Sequence, residues 1–206
     1  MRDVLGVMRV FLAVEVAPSA TTGITKLQHR LEEAIGGRKV RWTSPNDLHI
    51  TLKFLGDTSV ARTTQLLQGL PRTIGTAEPF MLTASGLGCF PNSRRPRLLW
   101  VGVGKDIDAL ERLQQGIERC AVDLGFAPAR RRFHAHLTIG RIRSQLRQSQ
   151  VYYLSQLTRE VERQRFAEWR VKELVVVESK ICSAGAQYIR WGRIPLLRDR
   201  QNTYSW

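Results

Sequence analysis

Two pentapeptides constrain this chain more than any other feature: Leu48-His49-Ile50-Thr51-Leu52 and Ala135-His136-Leu137-Thr138-Ile139. Each sets a His and a Thr two residues apart inside an aliphatic run. In a strand alternate side chains share a face, so His and Thr point one way together. Ile50 and Leu52 in the first copy, and Leu137 and Ile139 in the second, point the other way, where a core takes them. The fold must therefore hold two strands that are apolar behind and reactive in front. A single copy is equally the pattern of a half-buried strand with a solvated polar side. Two copies in a chain with only four His favour a joint role. One imidazole removes a proton, the other supplies one, and the hydroxyls donate to the non-bridging oxygens of an oxyanion.

At 206 residues and 43% hydrophobic, the chain can bury a sizeable core and reads as a soluble globular protein. No apolar run approaches the roughly 18 residues that a membrane span needs. The apolar start from Val10 to Val16 is broken by Glu15 and followed by no cleavage-site pattern, so the expectation is a cytoplasmic protein with no membrane partner. Cys89, Cys120 and Cys182 are odd in number and far apart, which suits neither a disulfide framework nor a CxxC metal site. The net charge of +14 points to a polyanionic partner. Arg94, Arg95 and Arg97 form one knot, and Arg130, Arg131, Arg132, Arg141 and Arg143 flank the second His-x-Thr. Charge runs are usually solvated faces; beside candidate chemistry they read as phosphate contacts.

Periodicity predicts strands over 7–16, 39–42, 49–55, 80–87, 98–103, the second motif up to 143, 169–178 and 188–194. Helices are predicted over 18–34, 60–70, 106–124 and 149–164, with Pro71 closing the second. A loop is expected at 88–95, a turn at 183–187 and a polar tail at the end. The element order repeats loosely across the midpoint. We therefore expect an α+β, bilobal, pseudo-symmetric fold, with two antiparallel or mixed sheets flanking a central cleft and helices outside, residues 1–206 forming one domain of two lobes.

The paired motifs resemble the 2H phosphoesterase superfamily, and within it the bacterial and archaeal RNA 2′,3′-cyclic phosphodiesterases, also called 2′-5′ RNA ligases. The resemblance runs through Arg9-Val10-Phe11-Leu12-Ala13-Val14, Asp47 to Gly56, Pro96-Arg97-Leu98-Leu99-Trp100-Val101-Gly102, Phe133 to Arg141, Glu178-Ser179 and Tyr188. Where such proteins often have Pro before the second His, this chain has Ala135, preceded by His134. The resemblance implies a metal-free mechanism without cofactors, acting on RNA that ends in a 2′,3′-cyclic phosphate to leave a 2′-phosphate. Joining of RNA ends through a 2′-5′ bond is also associated with it, and no obligate protein partner is expected. It further implies that His49 protonates the departing 3′ oxygen, that His136 activates water, and that Thr51 and Thr138 hold the non-bridging oxygens; the symmetry of the two motifs leaves the reverse assignment of the two His open.

Arg97 and Arg141 are the expected substrate-binding cations, although Arg141 is one residue out of phase with His136 and Thr138 and reaches the cleft only if the strand twists or ends there. Phe11 lies off the aliphatic Val10, Leu12 and Val14 row. It is either a core Phe on a strand buried on both faces or a stacking platform for the terminal base, with Arg141 on the base's other side. Three other readings remain at this point. One is an RNA-end-binding module whose His-x-Thr pair only grips phosphate. Another is a metallohydrolase built on His134-x-His136, which lacks a neighbouring Asp, Glu or Cys ligand set. The third is a Cys nucleophile, although no Cys adjoins a His in sequence.

Overall fold

In Val7–Glu15 (β1), alternation gives the two faces of the strand different company: Val10, Leu12 and Val14 enter the main core, while Phe11 and Ala13 join Val175 and Val177 in a small separate cluster. The structure, a computed structural model, describes residues 7–74, 76–182 and 185–197. A 3₁₀ turn at Pro18–Ala20 precedes Thr22–Ile35 (α1), whose Ile24, Leu27, Leu31 and Ile35 form a buried face at helical spacing. There follow Val40–Trp42 (β2), His49–Ser59 (β3), Val60–Ile74 (α2), Phe80–Phe90 (β4), Leu98–Lys105 (β5) and Ile107–Asp123 (α3). The chain continues with His136–Ile142 (β6), Gln148–Glu160 (α4), Arg165–Val171 (β7), Glu173–Cys182 (β8) and Gly185–Pro195 (β9).

The strands form two sheets, ordered β3-β1-β8-β9 and β2-β6-β5-β4-β7, and every pairing is antiparallel. The expected α+β class with two sheets is what the chain adopts. Each sheet holds one motif strand, β3 at an edge of the first and β6 between β2 and β5 in the second. Each sheet also draws on distant parts of the chain, because β2 leaves its sequence neighbours for the second sheet and β8 and β9 return to the first. Although they belong to different sheets, β3 and β6 approach within 8 Å at Cα.

Several elements differ from the periodicity. α2 runs on through Pro71 to Ile74: the ring costs one backbone bond, and buried Leu70 and Ile74 hold the last turn on the core. The stretch 169–178, expected as one strand, is two strands that part at Lys172, β7 pairing with β4 and β8 with β1 and β9. β4 extends to Phe90, its register shifted between Ser85 and Gly88 at a bulge where Gly86 takes a φ of 67°. Of the predicted turn, 183 and 184 lie outside the described residues and 185–187 belong to β9; the polar tail beyond 197 lies outside them too. No helix among the described residues is long and apolar enough to cross a membrane.

β3 also carries a bulge, for Leu12 opposes Lys53 while Ala13 opposes Thr51, leaving Leu52 without a partner. Lys53 is thereby turned to the core side, where 4% of it is exposed. There its Nζ donates to Glu118 Oε1 (2.8 Å) and to the Ala127 carbonyl (2.7 Å), and the Ala129 N–H donates to the same Oε1 (2.7 Å). A buried ion pair thus ties the first motif strand to α3 and to the segment that leads into the second.

Candidate active site

The two motif histidines are held in the same way. His49 Nδ1 lies 2.6 Å from the Asp47 carbonyl oxygen and His136 Nδ1 lies 2.7 Å from the His134 carbonyl oxygen. A carbonyl oxygen can only accept, so each Nδ1 carries the hydrogen and Nε2 is left as the reactive atom. A neutral imidazole so held is a base at Nε2, and a protonated one is an acid at the same atom. Ile50, Leu52, Leu137 and Ile139 are buried behind the two strands, and His49, Thr51, His136 and Thr138 are half-buried in front. Neither Thr hydroxyl has a hydrogen-bond partner among the described residues, so both are free to donate to a ligand.

Burial pulls both imidazoles below the ordinary value of 6.5, because a desolvated cation is disfavoured. The surrounding charges then divide the pair. Around His49, the Asp47 carbonyl bond and the Asp47 and Glu15 carboxylates favour the protonated ring, opposed by Arg190. Around His136, the carbonyl bond to His134 favours protonation, while the His134 ring and Arg141 oppose it. Two carboxylates and an arginine attend His49, and an arginine and a second imidazole attend His136.

Each His stands against an aromatic wall. Phe11 stacks under His49 with ring centroids 4.9 Å apart, and Tyr188 meets His49 edge-on at 5.3 Å. Phe11 lies on the reactive side of its sheet, as its register predicts, but only 2% of it is exposed, and its ring meets His49 rather than solvent. Its cross-strand partner Phe54 is 69% exposed. Beside His136 stand Phe90 (5.3 Å, edge-on) and Trp100 (6.3 Å), themselves stacked at 5.2 Å. The indole lies so close over Gly88 that a Cβ there would come within 2.2 Å of it, so only Gly fits. Phe90 and Trp100 were given no role by the sequence, because strand pairing is what brings them to His136. One signal was present: Trp100 alternates with the apolar Leu99 and Val101, which marks it for the reactive face.

Arg141 joins that face through a bulge. Thr138 opposes Trp100 and Gly140 opposes Leu99, so Ile139 has no partner on β5. Ile139 and Gly140 both turn inward, and Arg141 comes back into phase with His136 and Thr138. Its side chain is exposed, as is that of Arg97 at the entry to β5. The Arg97 backbone clips β4 to β6, its N–H donating to the Phe90 carbonyl (2.8 Å) and its carbonyl accepting from Ile142 (2.9 Å). The exposed His134 ring lies 6.1 Å from that of His136, and among the described residues no three His, Cys, Asp or Glu side chains converge as metal ligands. Burial pushes the Cys89 thiol up to about 11, which keeps it protonated and a poor nucleophile.

A family model described as LigT-like phosphoesterase matches residues 14–100 and again 101–188, one His-x-Thr strand in each match. The chain is 30% identical to an RNA 2′,3′-cyclic phosphodiesterase of Aquifex aeolicus over 88% of its length and 94% of that protein's. It is 31% identical to one of Archaeoglobus fulgidus over 88% and 96%. Among solved structures, a Thermus thermophilus protein superposes with a TM-score of 0.76 at 23% identity, covering 92% of this chain and 98% of that one. Escherichia coli LigT in complex with 3′-AMP superposes at 0.70 and 21%, covering 93% and 99%. Both share the fold.

Proposed function

We propose, since the chain belongs to the LigT-like phosphoesterase family, that it opens RNA 2′,3′-cyclic phosphates by acid and base catalysis from His49 and His136 without a metal ion. The observation that carries this reading is the matched pair of imidazoles, each with Nδ1 fixed on a carbonyl two residues back and a free Thr hydroxyl two residues on. The relatives' activity and the basic composition support RNA as the substrate.

Opening the ring requires a water oxygen to attack phosphorus in line with the P–O3′ bond. The water proton passes to His136 Nε2, the P–O3′ bond breaks, and O3′ takes the proton from His49 Nε2. The phosphate stays on O2′, and proton exchange with solvent resets the two rings. The local charges support this division of labour, since Arg141 beside His136 favours the neutral base, while beside His49 the Asp47 and Glu15 carboxylates favour the protonated acid against the opposing Arg190. Thr51 and Thr138 donate to the non-bridging oxygens, and Arg97 and Arg141 supply positive charge to the phosphates of the RNA strand. Phe11 acts through His49, holding the imidazole plane by stacking. With an RNA 5′-hydroxyl in place of water, the same groups make a 2′-5′ phosphodiester. An oligoribonucleotide ending in a 2′,3′-cyclic phosphate, incubated with the protein in excess chelator, tests the proposal: full turnover is expected, and loss of turnover on chelation overturns the metal-free mechanism.

Because activity needs one neutral and one protonated imidazole, kcat/KM plotted against pH should be a bell. With both rings depressed from 6.5, its maximum should lie below pH 6.5: activity falls on the acid side as His136 gains its proton and on the alkaline side as His49 loses one. A profile that keeps rising into the alkaline range would instead indicate hydroxide attack. Thr51→Ala and Thr138→Ala should each lower kcat by about ten- to a hundredfold, less than the 10²–10³ of a sole oxyanion donor because the other hydroxyl remains. If single-turnover rates show either Thr variant below both His variants, the ordering is wrong.

A further inference from the structure

We infer that Arg41 and Arg141 together form a subsite for the internucleotide phosphate one step upstream of the cyclic phosphate, an inference that rests on the proposed activity. Arg41 and Arg141 are directly opposed on the antiparallel strands β2 and β6, which places their Cα atoms about 4.5–5.5 Å apart. Val40 and Trp42 on either side of Arg41 turn to the core, where Trp42 closes over Gly140. The half-buried Arg41 is left on the reactive face beside Arg141. The row continues through Leu98, which opposes Arg141, to Phe90, which opposes Leu98 and stands against His136.

Like charges set directly opposite one another across two strands repel, and neither guanidinium meets a carboxylate among the described residues. An anion between them removes the repulsion, and two planar guanidinium forks suit the oxygens of a phosphodiester. The bulge at Ile139 gives the direction, because it makes Arg141 the next position after Thr138 on this face and Arg41 the position beyond it at the β2 side. An RNA strand whose terminal phosphate sits at Thr138 therefore passes its preceding phosphate to this pair, with Leu98 and Phe90 as the apolar floor beside it.

Three substrates separate this contact from the chemistry: a mononucleoside 2′,3′-cyclic phosphate, a dinucleotide ending in the same group, and that dinucleotide with an uncharged methylphosphonate linkage. The intact protein should prefer the charged dinucleotide over the uncharged one by about tenfold or more in kcat/KM. Arg41→Gln should abolish most of that preference and Arg41→Lys should keep part of it. Equal preference in the parent and Arg41→Gln, or no preference in the parent, overturns the subsite. Failure of the parent to open any of the three overturns the hydrolytic reading instead. Binding of a 2′-phosphate-ended oligoribonucleotide then reads the same contact without turnover. Its log affinity against log salt should be shallower by about 0.7 in Arg41→Gln, the share of one phosphate contact on a single strand, and an unchanged slope rejects the contact.

Discussion

His49→Ala and His136→Ala should each lower kcat for cyclic phosphate opening by about 10²- to 10⁴-fold, the usual share of a positioned acid or base, with little change in stability. The magnitude follows from the opposed roles of the two rings, since removing either leaves one proton transfer to bulk water. The small stability cost follows from the strand faces: both imidazoles are half-buried on the reactive side, while Ile50 and Leu137 behind them hold the core. The double variant should be scarcely slower than the worse single variant, because groups that act as a unit do not add. A loss below about tenfold in either single variant, in single-turnover measurements on folded protein, would remove that His from the mechanism.

Lys53→Met should destabilise the fold by about 3 kcal/mol, the low end for breaking a buried ion pair, because Glu118 keeps 22% side-chain exposure. Methionine replaces the apolar stem but neither donor bond. The Glu118 carboxylate, whose Oε2 already lacks a partner, is then held by the Ala129 N–H alone, and the Ala127 carbonyl loses its donor. Adding Glu118→Gln should recover part of the loss, since the remaining group is neutral and still accepts from Ala129. Urea denaturation of the three variants measures both effects. A loss under about 1 kcal/mol for Lys53→Met would mean that the pair behaves as a surface salt bridge.

The reactive faces of β3 and β6 were legible because a period of two depends on nothing beyond the strand itself. What the period missed were the bulges. Strict alternation puts Lys53 on the same face as His49 and Thr51, and the unpaired Leu52 moves it to the core, toward a carboxylate 65 residues away. The same alternation puts Arg141 out of phase, and the unpaired Ile139 restores it. Gly140 carried a hint of that bulge, since an isolated Gly in a strand often marks one or a close approach. Here a Cβ would stand 2.8 Å from Val40 and 2.9 Å from Trp42. Phe11 could be placed on its face but not in its company, because stacking under His49 depends on the β1 to β3 pairing. The corner at Lys172 left only a faint mark, two consecutive polar residues, Lys172 and Glu173, that break the alternation without a Gly, Pro or Asn to signal a turn. The sharing of each sheet between distant strands was likewise beyond local pattern.

The position of the product phosphate tests the central claim most directly. An oligoribonucleotide ending in a 2′,3′-cyclic phosphate, opened in water enriched in oxygen-18 and in excess chelator, should give a terminal 2′-phosphate with one heavy oxygen, and the His49→Ala and His136→Ala proteins should leave the ring closed. A 3′-phosphate product, or ring opening that survives both substitutions, would contradict the account.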